Sequence, residues 1–438
     1  MSDYSAKEFA RILMYGSSDE QSSEIFHTAG DHLRQAFTKT LSPVKNSQRV
    51  EFRNFVDYVR LTQGLDEALG CLEGFRTTGL PPELYATAGM IAARRANEYD
   101  RAAAHLESAH QIWPDNVTIH EFLIESLISI SRFESASALF AAVKPTTERE
   151  VVRFGNLAAV MGRWDLVQRL VDPFKSEDST FALQVLQERQ RISTGFSGQQ
   201  MEITAYVLNM PSDVRKLNLV SAHLNRLDVR MERQAGVDAG TMTAGEWAAW
   251  AGHDRLNLGA GAMGCALGHV AMWERFLASS DSFCLMMEDD AYPFVHGDIG
   301  ALIDGAEEFD VLFVHNGMSA LKSGNLRHGY TSVWEALEKR PEGGGWGAYG
   351  YILSKAGAEK LVDAVRADRI TGHIDGQIAS YGVHPTAEVK SNAQRIGRSI
   401  HSKSSSKTYL NIKCAQFPLI GTIDFGDSSI GRMGGHFG

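Results

Sequence analysis

Three adjacent carboxylates stand directly after a short apolar run in the stretch SFCLMMEDDAYPF, residues 282–294. The run from Phe283 to Met287 is predicted to be a buried strand, and Glu288, Asp289 and Asp290 follow it without a break. Side chains two apart in extended backbone share a face, so Glu288 and Asp290 are expected to point one way and Asp289 the other. A hard divalent cation prefers carboxylate oxygens on one rigid turn. The pair Glu288 and Asp290 therefore predicts a metal site, and the alternative is an acidic turn that caps a helix.

Other polar residues follow further predicted strands. Asn209 and Arg215 come after the apolar run AYVL, Asp238 follows the run that ends near Gln234, and Asn316 follows DVLFVH. An asparagine and an arginine beside the carboxyl end of a strand suit contacts to a base and to phosphate. The segment NMPSD, residues 209–213, is also a good turn on its own, so both interpretations of Asn209 and Arg215 stay open.

These residues require a sheet that brings strand ends together. Short apolar strands alternate with helical stretches from about residue 203 onward: TAYVLNM, HLNRLDVRMERQ, SFCLMM, DVLFVHN and YGYILS. That alternation predicts an α/β domain with a largely parallel sheet. The carboxyl ends of its strands are where such sheets bind ligands.

The first half of the chain has a different amino-acid composition, with few glycines and many Ala, Leu, Glu and Arg residues. Leu65, Tyr99 and Phe133 recur every 34 residues, each followed three residues later by an alanine. This pattern resembles the tetratricopeptide family, in which helix pairs stack into an array. The sequence therefore predicts an all-α repeat domain at residues 1–190, and it leaves open whether the array binds a partner or an acceptor, or serves for self-association.

Five segments of the second half resemble, in the same order, glycosyltransferase family 25, the group of the lipooligosaccharide and collagen galactosyltransferases. They are AYVLNMPSDVRKL (205–217), RQAGVDAG (233–240), GAMGCALGHVAMWERFL (261–277), LMMEDDAYPF (285–294) and GAYGYILSKAGAEKLV (347–362). The resemblance covers about residues 203–408. Gly268 stands where the family usually has a serine before histidine, so any contact of that hydroxyl is lost.

The resemblance implies a GT-A type nucleotide-sugar-binding domain at residues 203–410. It implies transfer of a hexose, most often galactose, from a UDP-sugar, with Mn²⁺ or Mg²⁺ as the metal. On this basis Glu288 and Asp290 are expected to bind the metal, with Asp290 essential for catalysis. The residues expected near the nucleotide-sugar are Asn209, Arg215, Asp238, Asp289 and Asn316.

The same resemblance implies transfer with inversion, which needs a general base beside the acceptor hydroxyl. Asp375 in TGHIDGQIASYG is the expected base, and the alternative is that it caps a helix beginning at Gly376. His269 is expected to pack or to order the acidic turn rather than to catalyse. The basic segment 390–407 either holds phosphate or is a solvated polar tail.

The composition bounds the function classes. The formal net charge of −10 argues against a general nucleic-acid binder. Four widely spaced cysteines and an N-terminus without an apolar segment predict a cytoplasmic protein with at most peripheral membrane contact. The acceptor is expected to be a glycan or glycolipid, as in lipopolysaccharide biosynthesis. The alternatives are a polypeptide acceptor chosen by the repeats, or a non-catalytic scaffold. Residues 411–438 are expected to form a partly disordered tail.

Overall fold

The structure, a computed structural model, falls into two compact units. It describes residues 20–38, 48–76, 79–174, 180–195, 203–252, 258–293, 308–314, 329–338, 347–384, 386–415 and 420–422. One unit comprises the described residues up to Pro145, and the other begins at Thr146. This division reflects how the residues pack. The predicted boundary at residues 190–203 rests on a change in amino-acid composition and stays a prediction.

The first unit is helical in its described part. Its helices are α1 (Glu20–Thr38), α2 (Arg49–Gln63), α3 (Leu65–Phe75), α4 (Pro82–Arg95), α5 (Tyr99–Ile112), α6 (Val117–Ser129) and α7 (Phe133–Leu139). Helices α3, α5 and α7 begin at the residues that recur every 34 positions, so the predicted repeat is confirmed. Ala68, Ala102 and Ala136 are fully buried, because only a small side chain fits where the helices pack.

One residue in left-handed backbone closes the turn inside a repeat. Asn97, Ser131 and Gly162 have φ angles of 59°, 61° and 66°. Beside the first of them, the N–H of Glu98 donates to the carbonyl of Ala93 at 2.9 Å. This backward bond satisfies a carbonyl that the end of the helix leaves without an intrahelical partner. The turn between the two helices is therefore closed by local backbone bonds as well as by packing.

The second unit combines a sheet with helices. Its helices are α8 (Glu148–Val160), α9 (Trp164–Val171), α10 (Phe181–Gly195), α11 (Val214–Arg226), α12 (Ala244–Trp250), α13 (Ala260–Leu277), α14 (Val333–Glu338), α15 (Lys355–Asp368), α16 (Ile374–Tyr381) and α17 (Asn392–Lys403). Its strands are β1 (Thr204–Asn209), β2 (Arg230–Ala235), β3 (Phe283–Glu288), β4 (Ala291–Pro293), β5 (Val311–Phe313), β6 (Tyr330–Ser332), β7 (Gly350–Ser354), β8 (Ile412–Ala415) and β9 (Ile420–Thr422). The α/β fold predicted for this half is confirmed.

Seven of these strands form one sheet in the order β2-β1-β3-β7-β5-β8-β6, and β4 pairs with β9 separately. The pairs β2–β1, β1–β3 and β5–β8 are parallel, whereas β3–β7, β7–β5 and β8–β6 are antiparallel. The sheet is thus mixed, and the prediction of a largely parallel sheet is wrong in this respect. Continuous apolar strands are typical of parallel sheets because both faces are covered, but β7 is buried along its whole length and still runs antiparallel to β3.

Helices cover both faces of the sheet. Tyr206 of β1 packs in the same core as Trp273 of α13, whereas Val207 packs in the opposite core with Leu224 of α11. Alternate residues of a strand enter opposite cores because their side chains point to opposite faces. This alternation fixes which helix each polar residue at a strand end can meet.

The left-handed turn residues give a matched pair of stability tests. Ser131→Gly is expected to raise the free energy of unfolding by about 0.5–1 kcal/mol, because glycine adopts left-handed backbone without the steric cost that serine bears. Gly162→Ala is expected to lower it by about 1 kcal/mol for the same reason. Urea unfolding followed by circular dichroism measures both changes. A shift of the same sign in the two variants would contradict this account.

Candidate active site

The polar residues found by sequence meet at one edge of the sheet. Strands β1, β2 and β3 run parallel, so their carboxyl ends lie together, and the antiparallel β7 begins at the same edge. The N–H of Gly236, just after β2, donates to the carbonyl of Asn209 at 2.9 Å. The N–H of Glu288 donates to the carbonyl of Tyr349 at 3.4 Å. Four chain segments therefore converge on the acidic turn.

Glu288 and Asp289 point to opposite faces, as the strand alternation predicts. Met286 belongs to the core that contains α13, and Met287 to the core that contains α11. Continuing the alternation directs Glu288 toward α13 and Asp289 toward α11. The side-chain contacts on each face agree with this.

Asp289 is held by the α11 side. The side-chain amide of Asn209 donates to Oδ2 of Asp289 at 2.7 Å and to the carbonyl of Asp213 at 2.8 Å. Burial raises the pKa of Asp289 to about 6, whereas the nearby Lys216 acts in the opposite direction. Two residues predicted to touch the nucleotide-sugar therefore contact each other and stiffen the turn.

Glu288 faces two side chains that lie one helical turn apart on α13. Its Oε1 is 3.8 Å from Sγ of Cys265 and 3.5 Å from Nε2 of His269. His269 is fully buried, and its Nδ1 lies 2.8 Å from Oη of Tyr351 on β7. The indole N–H of Trp273 donates to the same Oη at 2.8 Å. His269 is thus held through Nδ1 by Tyr351, and its Nε2 lies beside the acidic turn. This arrangement is consistent with the packing and ordering role expected for it.

The thiol of Cys265 is buried in a negatively charged environment. Burial raises the pKa of this thiol well above its usual value, and the negative charges of Glu288, Asp375 and Asp290 raise it further. The acidic residues predicted for metal binding and for base catalysis therefore all raise the pKa of one cysteine. Cys265 belongs to no cysteine-pair motif that marks it in the sequence, although its four-residue spacing from His269 places both on one helix face.

Asp375 lies in the first turn of α16 and does not cap it. The helix begins at Ile374 with His373 as its N-cap, so the alternative that placed a helix start at Gly376 is wrong. The carboxylate accepts the N–H of Gly347 at 2.5 Å and the N–H of Gly376 at 2.8 Å. Asp375 thus anchors the backbone that leads into β7.

The remaining predicted residues lie around this edge. Asp238 is exposed and accepts the N–H of Gly240 at 3.0 Å, at the start of a short 3-10 helix. Arg215 lies in the first turn of α11, with its Nε and Nη1 atoms buried. Asn316 lies outside the described residues. The structure therefore brings Asn209, Asp289, Glu288, Asp290 and Asp375 to one edge of the sheet.

Two basic regions differ from what the sequence indicates. Arg189 of α10 is buried, and burial lowers its pKa to about 10, while Tyr349 is close enough to act in the opposite direction. Arg189 lies within the predicted repeat domain at residues 1–190, and no sequence pattern marks it.

Within the basic segment 390–407, residues 392–403 form α17 with a capping box at Ser391, and Ser404 donates to Asp368 at 2.6 Å. The interpretation of this segment as a solvated tail is therefore wrong.

Two glycines allow α13 to approach the sheet closely. A Cβ at Gly264 would lie 2.1 Å from the carbonyl oxygen of Val237, and a Cβ at Gly268 would lie 2.4 Å from Cδ1 of Leu208. Gly268 stands where the resembled family usually has a serine. It therefore lets α13 contact β1 closely. Both positions flank Cys265, so this packing determines how near the thiol comes to Glu288.

Comparison with protein-family models agrees with this site. Residues 202–375 match the model described as glycosyltransferase family 25 (LPS biosynthesis protein). Residues 202–375 are a glycosyltransferase family 25 domain. The match runs from the residues just before β1 to Asp375, so residues 376–408 of the expected resemblance lie beyond it.

The other comparisons concern the helical part and the whole chain. Residues 93–159 match a tetratricopeptide repeat model, which confirms the predicted repeat family. A search of curated proteins found no match. The glycosyltransferase activity predicted from sequence is supported by the family 25 domain.

The close approach of α13 in the family 25 domain can be tested with two glycines. Gly264→Ala is expected to destabilise the protein by about 1–3 kcal/mol, because the added methyl group meets backbone that cannot move aside easily. Gly70→Ala in α3 is the matched control, since a Cβ at that position would have no atom within 4 Å. That control is expected to stabilise by about 0.5–1 kcal/mol. Thermal unfolding measures both, and an unchanged Tm for Gly264→Ala would contradict the packing argument.

Proposed function

We propose that the family 25 domain transfers a hexose, galactose from UDP-galactose, to a hydroxyl group of a glycan or glycolipid. The acceptor class matches the family description, which refers to LPS biosynthesis. A GT-A type arrangement agrees with the mixed sheet and with the acidic turn at the edge where β1 and β3 end. The proposal places the protein in the cytoplasm, the reducing compartment that its four free cysteines favour.

The observation that carries the proposal is that Asp375 and the acidic turn are bonded to the same short segment before β7. The carboxylate of Asp375 accepts the N–H of Gly347 at 2.5 Å, and the carbonyl of Tyr349 accepts the N–H of Glu288 at 3.4 Å. Carboxylates brought to one edge of a sheet repel one another, and a cation or a sugar hydroxyl group relieves that repulsion. Asp289 is turned away and bonded to Asn209, so it supports the turn instead of adding to the group. The site therefore offers two acidic groups for a cation and a third for a proton.

The donor atoms of Glu288 and Asp290 fit a hard divalent cation such as Mn²⁺ or Mg²⁺. Such cations bind carboxylate oxygens, and both residues supply them at the end of β3. When bound, the metal would stabilise the negative charge of the departing diphosphate.

Among the described helices, none combines the length and the apolar character that crossing a membrane requires.

The chain's own residues have distinct tasks in this proposal. Asn209 orients Asp289 and thereby the acidic turn, while Arg215 and Asp238 border the space for the nucleotide. Asp375 accepts the proton of the attacking hydroxyl group, which suits a single displacement with inversion. Its bonds to the N–H groups of Gly347 and Gly376 fix the carboxylate in place without using all of its lone pairs.

A polypeptide acceptor is the second candidate, because residues 93–159 match a repeat family with a stacked helical surface. The two candidates differ in what stimulates UDP release from UDP-galactose. Stimulation by lipooligosaccharide fragments favours the first candidate, and stimulation by unglycosylated protein favours the second.

The metal assignment predicts a sharp loss of activity. Glu288→Gln and Asp290→Asn are each expected to lower kcat/KM for sugar transfer by at least about 100-fold, because each removes a charged oxygen from the cation. EDTA is expected to abolish transfer by the wild type, and Mn²⁺ to restore it. UDP release measures all three effects.

The control for this test is Glu232→Gln on β2, a carboxylate that pairs with Arg275 at 2.6 Å. It is expected to keep wild-type transfer. Full activity in EDTA, or in Asp290→Asn, would remove the metal from the proposal.

The base assignment predicts a different pattern for Asp375→Asn. Its kcat is expected to fall by about 10²–10⁴-fold, while binding of UDP and Mn²⁺, measured by calorimetry, stays close to that of the wild type. Asp368→Asn is the control, because Asp368 also accepts backbone N–H groups, at 2.6 Å from Ser405 and 2.8 Å from Ser406. That control is expected to lower stability and to leave kcat unchanged. Near-normal turnover in Asp375→Asn, or an anomer of retained configuration by NMR, would exclude Asp375 as the base.

A further inference from the structure

A sulfur, a nitrogen and an oxygen meet beside the acidic turn. Sγ of Cys265, one ring nitrogen of His269 and one carboxylate oxygen of Glu288 all lie within 4.8 Å of one another. Two of these residues come from one face of α13, and the third from the end of β3. Both elements are held by the buried cores of the second unit, so the group does not depend on a surface loop.

Two of the separations between these atoms are close to the edges of a tetrahedral metal site. Zinc binds sulfur at about 2.3 Å and nitrogen or oxygen at about 2.0–2.2 Å, so adjacent ligand atoms lie roughly 3.4–3.6 Å apart. The observed separations are 3.5 Å from Nε2 of His269 to Oε1 of Glu288 and 3.8 Å from Sγ of Cys265 to the same oxygen. The third separation, from Sγ of Cys265 to the imidazole nitrogen, is at most 4.8 Å, so shifts of the side chains would complete the geometry.

The imidazole of His269 supplies an independent observation. Its side chain is fully buried, and Nε2 has no hydrogen-bond partner among the described residues. A buried polar atom without a hydrogen bond is costly, and a native structure usually has a reason for it. Its other nitrogen, Nδ1, lies 2.8 Å from Oη of Tyr351. When Nδ1–H donates to that oxygen, the Nε2 lone pair is directed toward Glu288, and metal-binding histidines are commonly oriented in this way.

We propose that Cys265, His269 and Glu288 form a binding site for a zinc-class divalent cation, with a fourth position open to water or substrate. Binding replaces the proton of the Cys265 thiol with the metal and releases that proton to the solvent. Thiolate and imidazole ligands favour Zn²⁺ and Co²⁺ over Mg²⁺ and Mn²⁺. The site is therefore selective against the hard cations assigned to Glu288 and Asp290.

Glu288 belongs to both ligand sets, and this has a consequence for activity. A carboxylate held by zinc is less available to the hard cation, so zinc is expected to inhibit transfer supported by Mn²⁺. This inhibitory consequence rests on the proposed function, whereas zinc binding itself does not.

The test is a titration of the full chain with Zn²⁺ alone. The wild type is expected to retain about one equivalent of zinc after desalting, and Co²⁺ in its place is expected to give a thiolate-to-cobalt absorption band. Cys265→Ser is expected to lose the band and the bound zinc. Cys71→Ser is the matched control, because Cys71 is another partly buried free thiol, and it is expected to bind as the wild type does. His269→Gln is expected to weaken binding, and circular dichroism checks that it is folded.

Two further outcomes decide the proposal. Tyr351→Phe removes the partner of Nδ1 and is expected to weaken zinc binding about 10- to 100-fold, the usual effect of losing such a supporting contact. Equal zinc retention by the wild type and Cys265→Ser, or no retention by either, would overturn the site and leave Cys265 and His269 as residues that only position Glu288.

The variant Asp290→Asn separates this proposal from the proposed function. It is expected to be inactive in transfer and still to bind zinc, since Asp290 is not among the three ligands. Zinc binding in a protein without transferase activity would support the site while the proposed function fails. An active transferase that retains no zinc would support the proposed function and exclude the zinc site.

Discussion

Mutual repulsion among carboxylates at the end of β3 is the constraint on which the rest of the second unit depends. Glu288, Asp289 and Asp290 are consecutive, and Asp375 bonds to Gly347, two residues from the Tyr349 carbonyl that accepts the N–H of Glu288. The fold separates these charges by alternation, because Asp289 turns to the amide of Asn209 on one face and Glu288 turns to α13 on the other. Backbone N–H groups hold Asp375. In the proposed function, a bound cation would offset the remaining excess of negative charge.

Close packing of α13 against the sheet determines the positions of the residues around these charges. Gly264 and Gly268 let α13 approach the backbone of Val237 and the side chain of Leu208. The same helix carries Cys265 and His269 to Glu288, and its Trp273 shares Oη of Tyr351 with His269. The antiparallel strand β7 supplies Tyr351, so the direction of one strand determines what lies behind the imidazole. Residues that never touch a substrate in the proposal therefore determine where the acidic groups stand.

Sequence patterns predict the features that depend on local periodicity. The 34-residue spacing predicts where α3, α5 and α7 begin, and strand alternation predicts that Glu288 and Asp289 face opposite ways. The direction of β7 and the position of Cys265 depend on contacts between segments far apart in the chain, which no local pattern encodes. The helix start suggested by Gly376 lies two residues after the true start of α16, because this glycine belongs to the first turn and does not precede it.

The turns between helices in the repeats of the first unit carry their own backbone bonds, with Asn97 and Ser131 in left-handed conformation. Each such turn is specified within a few residues, so a substitution in one repeat leaves the geometry of the next intact. A surface built in this way can diversify one repeat at a time. Over evolutionary time, the surface of the helical unit can therefore change in small steps, at a pace independent of the acidic turn at the end of β3.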